Sequence, residues 1–96
     1  ENAARNTCNK IKCVHGDETL VFTELYDIIL ANINRHVILN SIGSWAKLMS
    51  PNGLLIVSGI LQADEWVVKN EAAKHQLAVK KTTELNGWLA ISFTHF

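Results

Sequence analysis

Residues 26–33, Tyr26-Asp27-Ile28-Ile29-Leu30-Ala31-Asn32-Ile33, decide how this chain reads. Apolar side chains follow one another without alternation between polar ends, and the run is too short for a helix, so 26–32 is expected to be a strand covered on both faces. Downstream, Ile38, Ile42, Trp45 and Met49 fall at spacings of four, three and four, which gives 35–49 one apolar helical face. Ser50-Pro51-Asn52-Gly53 then breaks that helix. Residues 54–58, Leu-Leu-Ile-Val-Ser, form a second apolar strand that ends at Ser58-Gly59. Over 64–75, Asp64 and Glu65 open a helix and Lys74 and His75 close it, each matching the sign of the helix dipole. Residues 76–83 and 88–96 are β-prone, and the intervening Glu84-Leu85-Asn86-Gly87 carries the Asn-Gly pair of a hairpin. Upstream of the deciding run, 11–15 is a short strand closed by the turn residues His15-Gly16-Asp17, and 1–6 read as helix interior. Strands alternating with helices imply an α/β fold with a parallel sheet, made mixed by a terminal antiparallel hairpin.

Composition narrows the function classes. The chain has 96 residues with nine Lys plus Arg against nine Asp plus Glu, so its formal charge is zero and it is expected to build one small core. Balanced charge argues against the phosphate-binding field of a nucleic-acid binder. Charge-free stretches such as 52–63 contain Asn, Gly, Ser and Gln and fall short of the ~20 apolar residues that span a bilayer. Two cysteines, Cys8 and Cys13, make no disulfide framework, and with no secretion signal in view a cytoplasmic protein is expected. A first residue other than Met, in the middle of a helical pattern, suggests part of a longer chain.

Self-contained catalytic signatures are absent, and no two glycines lie closer than six positions, which excludes a G-x-G-x-x-G loop. Cys8, Cys13, His15 and Asp17 lack the second ligand pair of a structural zinc site, so no metal is expected. Position then becomes the guide. Ligands of open α/β sheets bind beyond the carboxyl ends of the parallel strands, where this chain has His15-Gly16-Asp17, Ala31-Asn32-Ile33-Asn34 and Ser58-Gly59-Ile60-Leu61. Asn32 and Asn34 suit a helix N-cap as well as a ligand contact. Asp17 and Ser58-Gly59 suit tight turns as well as a site. His36, His75 and His95 read as surface or satisfied positions, Trp45 as core, and Trp66 and Trp88 as core or half-buried.

The run Tyr26 to Ile33, with Asn52-Gly53-Leu54-Leu55-Ile56-Val57-Ser58-Gly59-Ile60-Leu61 and Asn86-Gly87-Trp88, resembles the carboxyl-terminal part of the ribosomal protein L11 methyltransferase family. These are Rossmann-like class I enzymes that use S-adenosyl-L-methionine to methylate amino groups, lysine or N-terminal, of a large-subunit ribosomal protein. The resemblance covers nearly the whole chain and implies that residues 1–96 are the carboxyl-terminal part of a single methyltransferase domain. It implies that Asn32 contacts the methyl donor and faces the incoming amine. It further implies that Gly16 and Asp17 lie where such enzymes contact the donor's adenine. Asn32-Ile33-Asn34-Arg35 has neither the prolines nor the aromatic of enzymes that act on planar nitrogens, which disfavours a nucleobase or a glutamine amide.

The family's glycine-rich loop, ribose-binding acid and substrate-recognition domain would precede Glu1, so the isolated stretch is expected to be inactive. In the class I strand order two further strands would separate 11–15 from 26–32. The resulting bare edges imply rearrangement or self-association of the isolated chain. Two alternatives stay open: a non-catalytic binding or assembly module that pairs through a sheet edge, and a class I methyltransferase acting on nucleic acid, which would need a basic face.

Overall fold

The computed structural model describes residues 10–14 and 25–96. A five-stranded sheet has the order β1-β2-β3-β5-β4, built from β1 (Ile11–Val14), β2 (Tyr26–Asn32), β3 (Met49–Leu61), β4 (Leu77–Leu85) and β5 (Trp88–His95). The first three strands are parallel, and β5 runs antiparallel to both β3 and β4. The α/β reading with a terminal hairpin therefore holds. Helix α1 (Arg35–Leu48) links β2 to β3, while a 3-10 turn (Gln62–Asp64) and helix α2 (Glu65–Lys74) link β3 to β4.

Both helices bury their apolar stripes against one face of the sheet. Ile38, Ile42, Trp45 and Leu48 of α1 and Val68 and Ala72 of α2 meet Ile29, Ala31, Leu55, Val57, Ile60, Ile91 and Phe93 in one core. Each large side chain withdrawn from water here contributes about 1.5–3 kcal/mol; Ile38, Ile42 and Trp45 of the expected stripe are in it, but Leu48 ends it, because the helix stops there and Met49 opens β3.

Four expectations are corrected. The chain leaves the helix at Leu48, ahead of Ser50–Gly53 as expected, but the strand that follows is longer than 54–58. The chain passes directly into β3, which starts at Met49, and the register slips between the pairs Tyr26↔Met49 and Ile28↔Leu54 to absorb Pro51 and Gly53. Pro51 sits within that slip, where a missing N–H costs no regular ladder bond.

Second, no space separates β1 from β2: Ile11 pairs with Ile28 and Val14 with Ala31. The Asp27 carboxylate fastens this junction, accepting from the backbone N–H of Lys10 at 2.9 Å and from the Ser50 hydroxyl at 2.9 Å. The edge of β2, whose N–H and C=O groups would otherwise lack partners, is thereby satisfied within the chain.

Third, β2 is not covered on both faces. Ile29 and Ala31 are buried beneath the helices, but Leu30 on the other face is 36% exposed, because among the described residues both helices lie on the same side. Fourth, Trp66 and Trp88 are surface residues, 69% and 51% exposed, whereas Trp45 is core as expected. Trp66 projects from α2 with the Lys69 ammonium 5.4 Å from its ring centre. Trp88 lies one residue before the buried alternation Leu89, Ile91, Phe93, so the pleat turns it away from the core.

Candidate functional site

The carboxyl ends of β2 and β3 lie side by side, with Asn32 paired to Ser58. Immediately beyond them the two asparagines part in role. Asn34 is the N-cap of α1: its backbone is extended (φ −74°, ψ 163°) and its side-chain oxygen accepts from the backbone N–H of Val37 at 3.1 Å. Asn32 caps nothing. Its side chain is exposed, follows Leu30 onto the face opposite the helices, and makes no hydrogen bond to any described residue. Of the two uses of asparagine at a strand end, the cap thus falls to one residue, and the other keeps an uncommitted amide.

Beside that amide stands Gly59. Register along the β3–β5 pair runs Ser58↔Ala90 and then Ile60↔Leu89, so Gly59 is the extra residue of a β-bulge. Its φ of +77° is in the region that favours glycine. The bulge has two consequences. It returns Ile60 to the core face, where Ile60 is fully buried, and it brings the Gly59 Cα so close to Asn32 that a Cβ would lie 2.7 Å from Asn32 Oδ1.

Two hollows flank this junction. One, of about 570 Å³, is bordered by Asn34, Arg35, Gly59, Leu61, Asp64 and Trp88. An ion pair crosses its rim, Arg35 to Asp64 at 3.1 Å, and ties the start of α1 to the 3-10 turn after β3. The other, of about 320 Å³, lies on the bare face and is bordered by Cys13, Leu30, Asn32, Ile56 and Ser58. The site therefore combines an apolar wall, a polar rim and one uncommitted amide between two depressions.

Against known proteins, the family model described as ribosomal protein L11 methyltransferase (PrmA) matches residues 1–95. The chain belongs to the ribosomal protein L11 methyltransferase family. A curated relative, the ribosomal protein L11 methyltransferase of Bacteroides thetaiotaomicron, is 35% identical over 96 residues, covering 99% of this chain and 34% of that protein. The chain thus spans about a third of the length of the curated relatives it matches. Among solved structures, a ribosomal protein L11 methylase from Lactobacillus delbrueckii subsp. bulgaricus superposes with a TM-score of 0.73 at 19% identity, over 76% of this chain and 38% of that one. The M1.HpyAVI–SAM complex gives a TM-score of 0.66 at 15% identity, over 88% of this chain and 56% of that one. These likenesses establish the fold of a methyltransferase of the Rossmann-like type.

Of the residues singled out in the sequence, Asn32 is at the site's centre, and Gly16 and Asp17 lie outside the described residues. Sequence reasoning named Gly59 as a turn but missed that it faces Asn32. It also missed Trp88 at the rim. The signal for Trp88 was present in the alternation of 89, 91 and 93, which assigns 88 to the opposite side. Nothing in the sequence foretold the Arg35–Asp64 pair, whose members are 29 positions apart. Among the described histidines His36 is exposed, while His75 and His95 are half-buried with partners in reach, His75 Nε2 lying 3.2 Å from Glu71 and His95 Nε2 lying 3.4 Å from the Met49 carbonyl oxygen.

Proposed function

We infer that this chain is the carboxyl-terminal part of a single methyltransferase domain that transfers a methyl group from S-adenosylmethionine to amino groups of a large-subunit ribosomal protein, L11 by the names of its relatives. The observation that carries the reading is the uncommitted Asn32 amide at the end of a parallel strand, next to a neighbour that does the capping. Support comes from the relatives' shared name and from a structural neighbour solved with SAM.

The residues present suit such a donor. Asn32 lies at the carboxyl end of a parallel strand, where sheets of this kind bind ligands, and with Ser58 it borders an open hollow of about 320 Å³. When bound, the donor supplies a methyl group on a positively charged sulfonium, ready for displacement by a neutral amine. Asn32 then acts by alignment: its carbonyl oxygen accepts from an amine N–H and holds the nitrogen lone pair in one direction. A carboxamide does this without the negative charge that would keep the amine protonated. Trp88 and Leu61 offer apolar surface to the methylene stem of a lysine that enters the larger hollow. The 96 residues hold no glycine-rich loop, so tight donor binding belongs in this reading to the longer protein and not to this stretch alone. Action on a ribosomal protein favours a cytoplasmic enzyme in this reading; no described helix is long and apolar enough to cross a membrane.

The test is single-turnover methyl transfer by the full-length protein beside a thermal melt. Asn32→Ser and Asn32→Asp should melt like the parent while the rate falls roughly 10- to 100-fold, the value of a lost hydrogen bond expressed in the transition state. Asn32→Asp should be the slower of the two. Full activity in both variants would refute the assignment.

A further inference from the structure

Gly59 serves two purposes that can be separated. Its φ of +77° is a backbone demand that asparagine or aspartate also tolerates at modest cost. The 2.7 Å between its would-be Cβ and Asn32 Oδ1 is a demand on space, which every residue other than glycine violates. Real Cβ atoms do not approach an oxygen this closely, so one group must move, and the Asn32 side chain has no hydrogen bond to a described residue that would hold it in place. The amide is exposed and borders the smaller hollow, so it is the amide that swings aside while the paired backbone of Asn32 and Ser58 stays.

Resting on the role given above to Asn32, we propose that Gly59 is a positioning residue for methyl transfer: the bulge strips the side chain from β3 at the one point where it would push the Asn32 amide out of line. Gly59 touches neither reactant in this scheme and acts only through Asn32. A residue at 59 with a Cβ rotates the amide away and leaves the strand, the bulge and the core residue Ile60 where they are.

The experiment compares Asn32→Ala, Gly59→Asn and the double variant in the full-length protein, by single-turnover methyl transfer and thermal melt. Asparagine is chosen because it accepts a positive φ and yet carries the Cβ. The expected result is that Gly59→Asn slows transfer about 10- to 100-fold with little change in melting, and adds almost nothing in the Asn32→Ala background, where the clash has been removed. Should Gly59→Asn fail to fold, restoration of the melt in the double variant would locate the fault in the clash and support the proposal. Failure of both would show that Gly59 serves the backbone alone and overturn it. An undiminished rate for Gly59→Asn, or equal slowing with and without Asn32, would overturn it too. A parental rate for Asn32→Ala would instead remove the premise, the role of Asn32 itself.

Discussion

The two faces of the sheet are made of similar residues and have different fates. On one, Ile29, Ala31, Leu55, Val57, Ile91 and Phe93 vanish beneath α1 and α2. On the other, Leu30, Ile56, Ala90 and Ser92 line open hollows, with no described helix above them. β2 shows the contrast within one strand, since Ile29 is fully buried and its neighbour Leu30 is not. Continuous apolar sequence in a parallel strand anticipates two covered faces; the described residues supply the cover for one. The lesson is that strand composition reports the surroundings a strand is built for, while burial reports the cover actually present, and Asn32 lies at the end of the bare side.

The widest separation between the faces should appear in stability. Trp45→Ala, which empties the centre of the covered face, should cost about 3–5 kcal/mol, whereas Leu30→Ser on the bare face should cost less than about 1 kcal/mol in this chain. Urea unfolding of the 96-residue chain measures both, and comparable losses would show that the bare face is covered in solution.

A finer contrast sets the two asparagines against each other. Asn34→Ala should cost about 1 kcal/mol through the lost cap, and Asn32→Ala should stay within about 0.5 kcal/mol because its amide makes no bond to a described residue. Equal costs in the same unfolding experiment would give Asn32 a structural role that its geometry does not display.

The smallest effect belongs to the rim. Arg35→Ala or Asp64→Asn should lower stability by roughly 0.2–1 kcal/mol, less in high salt, since the Arg35 side chain is half exposed. A salt-independent loss well above that range would mean that the pair fixes the hollow's shape and not merely its edge.

Much of this was legible beforehand for definite reasons. The stripe of Ile38, Ile42 and Trp45 and the continuous runs at 26–32 and 54–58 are local patterns, and local patterns survive into the fold. Asn86-Gly87 was legible because both residues need positive φ, 54° and 84° here, which is the chemistry of a two-residue hairpin turn. The motifs around Asn32 and Ser58-Gly59 carried the family. What could not be read was the division of labour between Asn32 and Asn34, because the same side chain caps or binds according to where the strand stops and the helix starts.

By itself, the sequence determined the order of elements from β1 onward, the expected helix over 1–6 lying outside the described residues, together with the hairpin, the helical stripe that fills the core, and which strand ends carry polar groups, all of which depend on neighbours within a few positions. Only the tertiary structure decided that β1 lies directly against β2, that both helices cover one face, that Trp88 turns outward, and that Gly59 clears space for Asn32. The first pairs residues 17 positions apart, the last joins residues 27 positions apart, and the other two sum contacts from several elements. Register, bulge and side of the sheet fix such distances, and no local pattern encodes them.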